Sequence, residues 1–150
     1  MQKSTKRVII TSGYFNPLHI GHINLMSEAR KLGDFLVVIV NNDEQVKIKG
    51  SVPFMKQDER VEIIKTLKFV DQVFLSVDKD GTVTESLKAI AGLYKGELLF
   101  AKGGDRNTGN IPENERLICD KFNIKIIDDV GGGKVQSSSW LISKAKNNKR

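Results

Sequence analysis

Short apolar, β-branched runs alternate with segments of helical period along most of this chain, and that alternation restricts the fold more than any other feature. Candidate strands are Val8–Thr11, Phe35–Val40, Gln72–Leu75, Leu98–Ala101 and Lys125–Ile127. Candidate helices are Ile20–Lys31, Lys56–Leu67, Thr84–Ala91, Glu113–Phe122 and Ser138–Lys146. Ile20, Ile23, Met26 and Ala29 recur three apart in the first helix, and Val61, Ile64 and Leu67 do so in the second. Right-handed crossovers between such strands put helices on both faces of a parallel sheet. The expected fold is therefore α/β, a Rossmann-like doubly wound sheet of five parallel strands with its ligand site beyond the carboxyl ends. At 150 residues the chain is expected to form a single domain, residues 1–150, with basic tails at about 1–6 and 146–150.

The polar and glycine-rich stretches agree with that topology. Gly13 to His22 follows the first strand, and Asn41-Asn42-Asp43 follows the second. Lys102-Gly103-Gly104-Asp105 follows the fourth. Gly131-Gly132-Gly133 and Ser137-Ser138-Ser139 follow the fifth. In a parallel sheet all of these lie along one edge, which scattered surface loops would not do.

The stretch Gly13-Tyr14-Phe15-Asn16-Pro17-Leu18-His19-Ile20-Gly21-His22 carries the chemistry. Asn16-Pro17 directs the chain into a turn, because the residue before proline avoids the α region. The next helix begins there, and its free amides and dipole favour phosphate. His19 and His22, three apart, share a face of that helix. Gly21 removes a side chain where phosphate must come close. Imidazole nitrogens donate to phosphate oxygens, and a protonated ring adds charge. In nucleotidyl transfer charge builds on the α-phosphate and the departing pyrophosphate, and donors aimed there stabilise it. The structural alternative is that the pair caps and packs a helix. With only two histidines and one distant cysteine, no zinc site is expected, and no metal-ligating set is assigned.

Composition narrows the classes further. The net charge of +6 is exceeded by seven terminal residues alone: Lys3, Lys6, Arg7, Lys144, Lys146, Lys149 and Arg150. The body between them is nearly balanced, so no nucleic-acid partner is expected. No apolar run has the length of a membrane span, and no signal-peptide pattern is present, so no membrane partner and a cytoplasmic location are expected. Cys119, the only cysteine, reads as a small core residue.

With these residues in view, the chain resembles the cytidylyltransferase-like nucleotidyltransferase superfamily, whose HxGH signature is His19-Ile20-Gly21-His22. The resemblance runs from Arg7 to about Ala145. It is strongest to the heptose-phosphate adenylyltransferase and glycerol-3-phosphate cytidylyltransferase branches. It rests on Ala29–Asp34, Val40–Asp43, Lys49-Gly50, Glu59-Arg60, Val70-Asp71 and Lys102–Asp105. It implies transfer of NMP from ATP or CTP to a phosphorylated sugar or polyol, with release of pyrophosphate. His19 and His22 would be catalytic. Thr11, Gly13, Tyr14, Phe15, Asn16 and Gly21 would bind the nucleotide, with Gly103, Gly104, Asp105, Ser137, Ser138 and Ser139. Lys47 or Lys49, on the loop after the second strand, and Arg60 would hold phosphate or acceptor; a solvated helix face is the alternative for Arg60, beside Glu59 and Glu62. Mg2+ would accompany the NTP, and a homodimer is expected.

Three departures bear on the acceptor. Asn16 stands where an aspartate is usual. Lys134 stands near where the glycerol-phosphate branch has an arginine, and it supplies charge without a bidentate fork. The stretch Arg106 to Glu113 differs from the heptose enzyme's loop. Phe15-Asn16-Pro17 also suggests a pyridine-nucleotide adenylyltransferase, although Ser139-Trp140-Leu141-Ile142 lacks the arginine that branch carries. A non-catalytic nucleotide-binding module is the non-enzymatic alternative. The HIGH sequence also occurs in tRNA synthetases, but the chain lacks their Lys-Met-Ser-Lys-Ser element.

Overall fold

A computed structural model describes residues 3–103, 111–131 and 144–146. The element order is β1 (Lys3–Gly13), α1 (Ile20–Arg30), β2 (Phe35–Val40), α2 (Asp43–Ile48), α3 (Gln57–Lys65), β3 (Gln72–Leu75), α4 (Thr84–Leu93), β4 (Tyr94–Gly103), α5 (Glu113–Lys121) and β5 (Ile124–Val130). The five strands form one parallel sheet in the order β3-β2-β1-β4-β5. Each expected strand is present. β1, β4 and β5 extend beyond the expected limits, and α2 is an addition to the expected elements. Of the expected final helix, 144–146 are helical and 138–143 lie outside the described residues.

Alternation within the strands explains the two-sided core. Val8 and Ile10 of β1 face one side with Leu87, Ile90 and Cys119 from α4 and α5. Ile9 faces the other side with Met26, Ala29 and Ile64 from α1 and α3. β2 is buried along its whole length, as a central parallel strand covered on both faces must be. Burial and the nearby Glu115 carboxylate push the Cys119 thiol up to about 12. Among the described residues, no helix is long and apolar enough to cross a membrane.

The strand order locates the crevice. β1 connects through α1 to β2 on one side, whereas β4 lies on its other side, so the order reverses between β1 and β4. Ligands of doubly wound sheets bind outside the carboxyl ends at such a point. Gly13 ends β1 and Gly103 ends β4, so the first motif and the Lys102-Gly103 stretch flank it.

Candidate active site

β1 ends at Gly13 because the next turn folds over it. A Cβ on Gly13 would stand 2.7 Å from the Phe15 ring, so glycine makes room for that ring to enter the core. Phe15 is 2% exposed and meets the His22 ring edge-on, with centroids 4.8 Å apart. Its side chain supports the histidine from beneath instead of lining an opening. Thr11 is also buried, and its Oγ1 has no hydrogen-bond partner among the described residues.

His19 and His22 form the N-terminal cap of α1. His19 is the N-cap, in extended backbone, and its Nδ1 accepts from the Gly21 N–H at 3.1 Å. The His19 N–H donates back to His22 Nδ1 at 3.2 Å, which completes a reciprocal capping box. The rings stack with centroids 3.7 Å apart and planes 22° apart. Capping and phosphate chemistry are therefore compatible, since they use different nitrogens. Each Nδ1 accepts a main-chain N–H, so a neutral ring carries its proton on Nε2.

Electrostatics fixes the protonation state. His22 is lowered to about 3 by burial, then by His19 and Lys49. The His22 ring is therefore a neutral donor at pH 7 in this setting. The first turn of α1 holds no acidic residue, and the positive end of its dipole is unopposed there.

Lys47 and Lys49 are not on a loop. Lys47 lies in the last turn of α2, exposed and paired with Glu44 at 3.3 Å. Lys49 is the C-cap of α2, and its Nζ sits 4.4 Å from the centre of the Tyr14 ring. The structure brings Lys49, Tyr14 and the histidine pair together and leaves Lys47 on the α2 surface.

Arg60 is neither on a solvated face nor at an opening. Its side chain is fully buried and donates to the carbonyls of Met55, Tyr14 and Asn41 at 3.0, 2.7 and 2.6 Å. It also pairs with Asp43 Oδ1 at 2.7 Å. One guanidinium thus ties the β1–α1 turn, the end of β2 and the approach to α3 together. Asn16, 4% exposed, is likewise turned towards protein, bonding Val52 and Phe54. Gly103 pairs with Val130 at the end of β4. Gly104, Asp105, Ser137, Ser138 and Ser139 lie outside the described residues.

The sequence places Asn42 in the polar stretch after the second strand without a role of its own, and Gln45 does not stand out there. They form a second reciprocal capping box, on α2. Their amide groups also reach the next loop: Asn42 donates to the Ser76 and Asp78 carbonyls, and Gln45 to those of Asp80 and Thr82. The signal was an Asn-x-x-Gln spacing ahead of a glycine.

The family model described as Cytidylyltransferase-like matches residues 10–143. The chain belongs to the cytidylyltransferase-like family. Bifunctional protein HldE of Desulfatibacillum aliphaticivorans is 35% identical over 134 residues, covering 88% of this chain and 24% of that protein. FAD synthase of Thermococcus sibiricus is 45% identical over 76 residues, covering 50% of this chain and 51% of that protein. The chain thus spans about a quarter of the first relative and about half of the second. The lipopolysaccharide core biosynthesis protein of Thermoplasma volcanium superposes with a TM-score of 0.64 at 29% identity, covering 87% of this chain and all of that one.

Proposed function

We propose that the chain is a nucleotidyltransferase that moves NMP from ATP or CTP onto the phosphate of a phosphorylated sugar or polyol. An acceptor phosphate oxygen attacks the α-phosphorus, and the bond to the β-phosphate oxygen breaks, releasing pyrophosphate. The acceptor phosphate is already ionised at neutral pH, so the step needs no general base. The observation that carries this reading is the stacked His19–His22 pair at the α1 N-terminus, with both Nδ1 atoms held by main chain. Nε2–H donors fixed in that way act on developing phosphate charge without reorganising. Bound phosphate would also favour protonation of one ring; two cations at stacking distance would repel.

Lys49 is the better placed of the two lysines for a phosphate role, and Arg60 is assigned to holding the turn. The resemblance supports Gly103, Gly104, Asp105 and Ser137–Ser139 as nucleotide contacts, and it supports a homodimer, which sedimentation tests. Among the described residues, no group of three or more His, Cys, Asp or Glu is placed to hold a metal ion. Mg2+ would accompany the NTP substrate and neutralise phosphate charge there.

The test is a matrix of four NTPs against phosphorylated sugars, polyols and flavin mononucleotide, read as pyrophosphate release. Flavin mononucleotide is included because a relative is named FAD synthase. Release that depends on one NTP and one acceptor class is the expected result. Nucleotide binding with no release for any pair would instead establish a non-catalytic module.

A further inference from the structure

Asn16 departs from the aspartate usual at its position, and its amide does what a carboxylate cannot. Nδ2 donates to the Val52 carbonyl at 2.9 Å, while Oδ1 accepts from the Phe54 N–H at 2.7 Å. An ionised aspartate only accepts, and it would face the Val52 carbonyl oxygen with negative charge. Both partners belong to the segment between α2 and α3. Apolar burial does little to hold that segment, since Val52 and Phe54 are 74% and 61% exposed.

The other end of the segment is anchored by the exit from α2. Gly50 has φ +86, Ser51 N–H donates to the Val46 carbonyl, and Gly50 N–H donates to that of Lys47. These bonds make a Schellman termination, which needs the left-handed residue that glycine supplies. Lys49 therefore sits beside a fixed helix end and three residues before the segment that Asn16 grips. Its ammonium lies over Tyr14 and acts on His22.

We infer that Asn16 is a positioning residue: its two-point clamp on Val52 and Phe54 keeps Lys49 beside Tyr14 and the histidine pair, where the ammonium meets the phosphates of the substrate. The kinetic consequence rests on the nucleotidyl-transfer reading, but the link from Asn16 to Lys49 does not.

Two histidines in the chain give two ring signals, so NMR titration of the ligand-free protein reads the clamp directly. Among the described residues, His19 and Lys49 are the charged or titratable groups that act on His22. Lys49→Ala should raise the pH at which His22 titrates. Asn16→Ala should raise it too, and the double variant should add little to either single change. In turnover, Asn16→Ala should raise KM for the NTP about ten-fold, with kcat changed less, and the effect should vanish in a Lys49→Ala background. Asn16→Ser covers the case in which the alanine variant fails to fold. The inference is overturned if the Asn16 variants melt earlier yet keep the wild-type His22 titration, or if the two substitutions are fully additive. If no variant, wild type included, turns over any substrate pair, the functional reading fails while the titration still decides the clamp.

Discussion

The N-termini of α1 and α2 share one hydrogen-bond pattern and use it for different ends. Each carries a reciprocal box in which residues three apart cap one another, His19 with His22 and Asn42 with Gln45. In α2, the remaining amide donors are spent on four carbonyls of the loop after β3, so that box is a brace. In α1, the capping residues are imidazoles, and capping consumes Nδ1 while directing the proton to Nε2. The two caps therefore differ in what each residue retains once capped.

Exchanging one box for the other separates capping from imidazole chemistry. The pair His19→Asn and His22→Gln should keep α1 capped, because both amides can make the same bonds. Pyrophosphate release should nevertheless fall by about a thousand-fold, roughly 4 kcal/mol of transition-state stabilisation. Retained turnover would show that capping, not imidazole chemistry, is what the motif supplies. The converse change is Gln45→Ala, which removes a wholly buried amide holding two loop carbonyls and the cap. It should cost about 3 kcal/mol in denaturant unfolding while kcat per folded molecule stays near wild type.

Acid separates the boxes as well, because only α1's titrates. The unfolded chain binds a proton at His22 below about 6.5, whereas the folded one refuses it until about 3. Stability from this group is complete above pH 6.5 and is lost as the pH falls towards 3. Between pH 6.5 and 5 the loss should be about 2 kcal/mol, and His22→Gln should flatten that limb of a Tm-against-pH curve. The smallest effect concerns the far end of α2. Gly50→Ala forces a side chain into φ +86 and should cost about 1 kcal/mol by thermal unfolding.

The strands were legible because their apolar runs are buried on both faces, and Phe35–Val40 is the plainest case. The histidine pair was legible from its place after β1. The six residues of α2 were too few to show a helical period, so only their flanking signals, Asn42-x-x-Gln45 and Gly50, could have revealed it. For Arg60 the sequence offers a phosphate or acceptor contact, with a solvated face beside Glu59 and Glu62 as the alternative. Its burial depends on carbonyls brought from three separate segments, which local pattern cannot encode. For Phe15 the family resemblance implies a nucleotide contact, whereas the side chain is 2% exposed. Its place in the core follows from the space above Gly13, and that space exists only once β1 and its turn have formed. Strand order, and with it the crevice between β1 and β4, is likewise a property of the assembled sheet.

Cys119 has a practical consequence. As the chain's one thiol, buried and held at about 12, it stays protonated and shielded while the fold is intact. A thiol reagent added to the native protein should therefore stay silent, and its reaction rate should count the openings of the core beneath α5. The chain carries its own clock for unfolding, and surface cysteines introduced for labelling would react against almost no background.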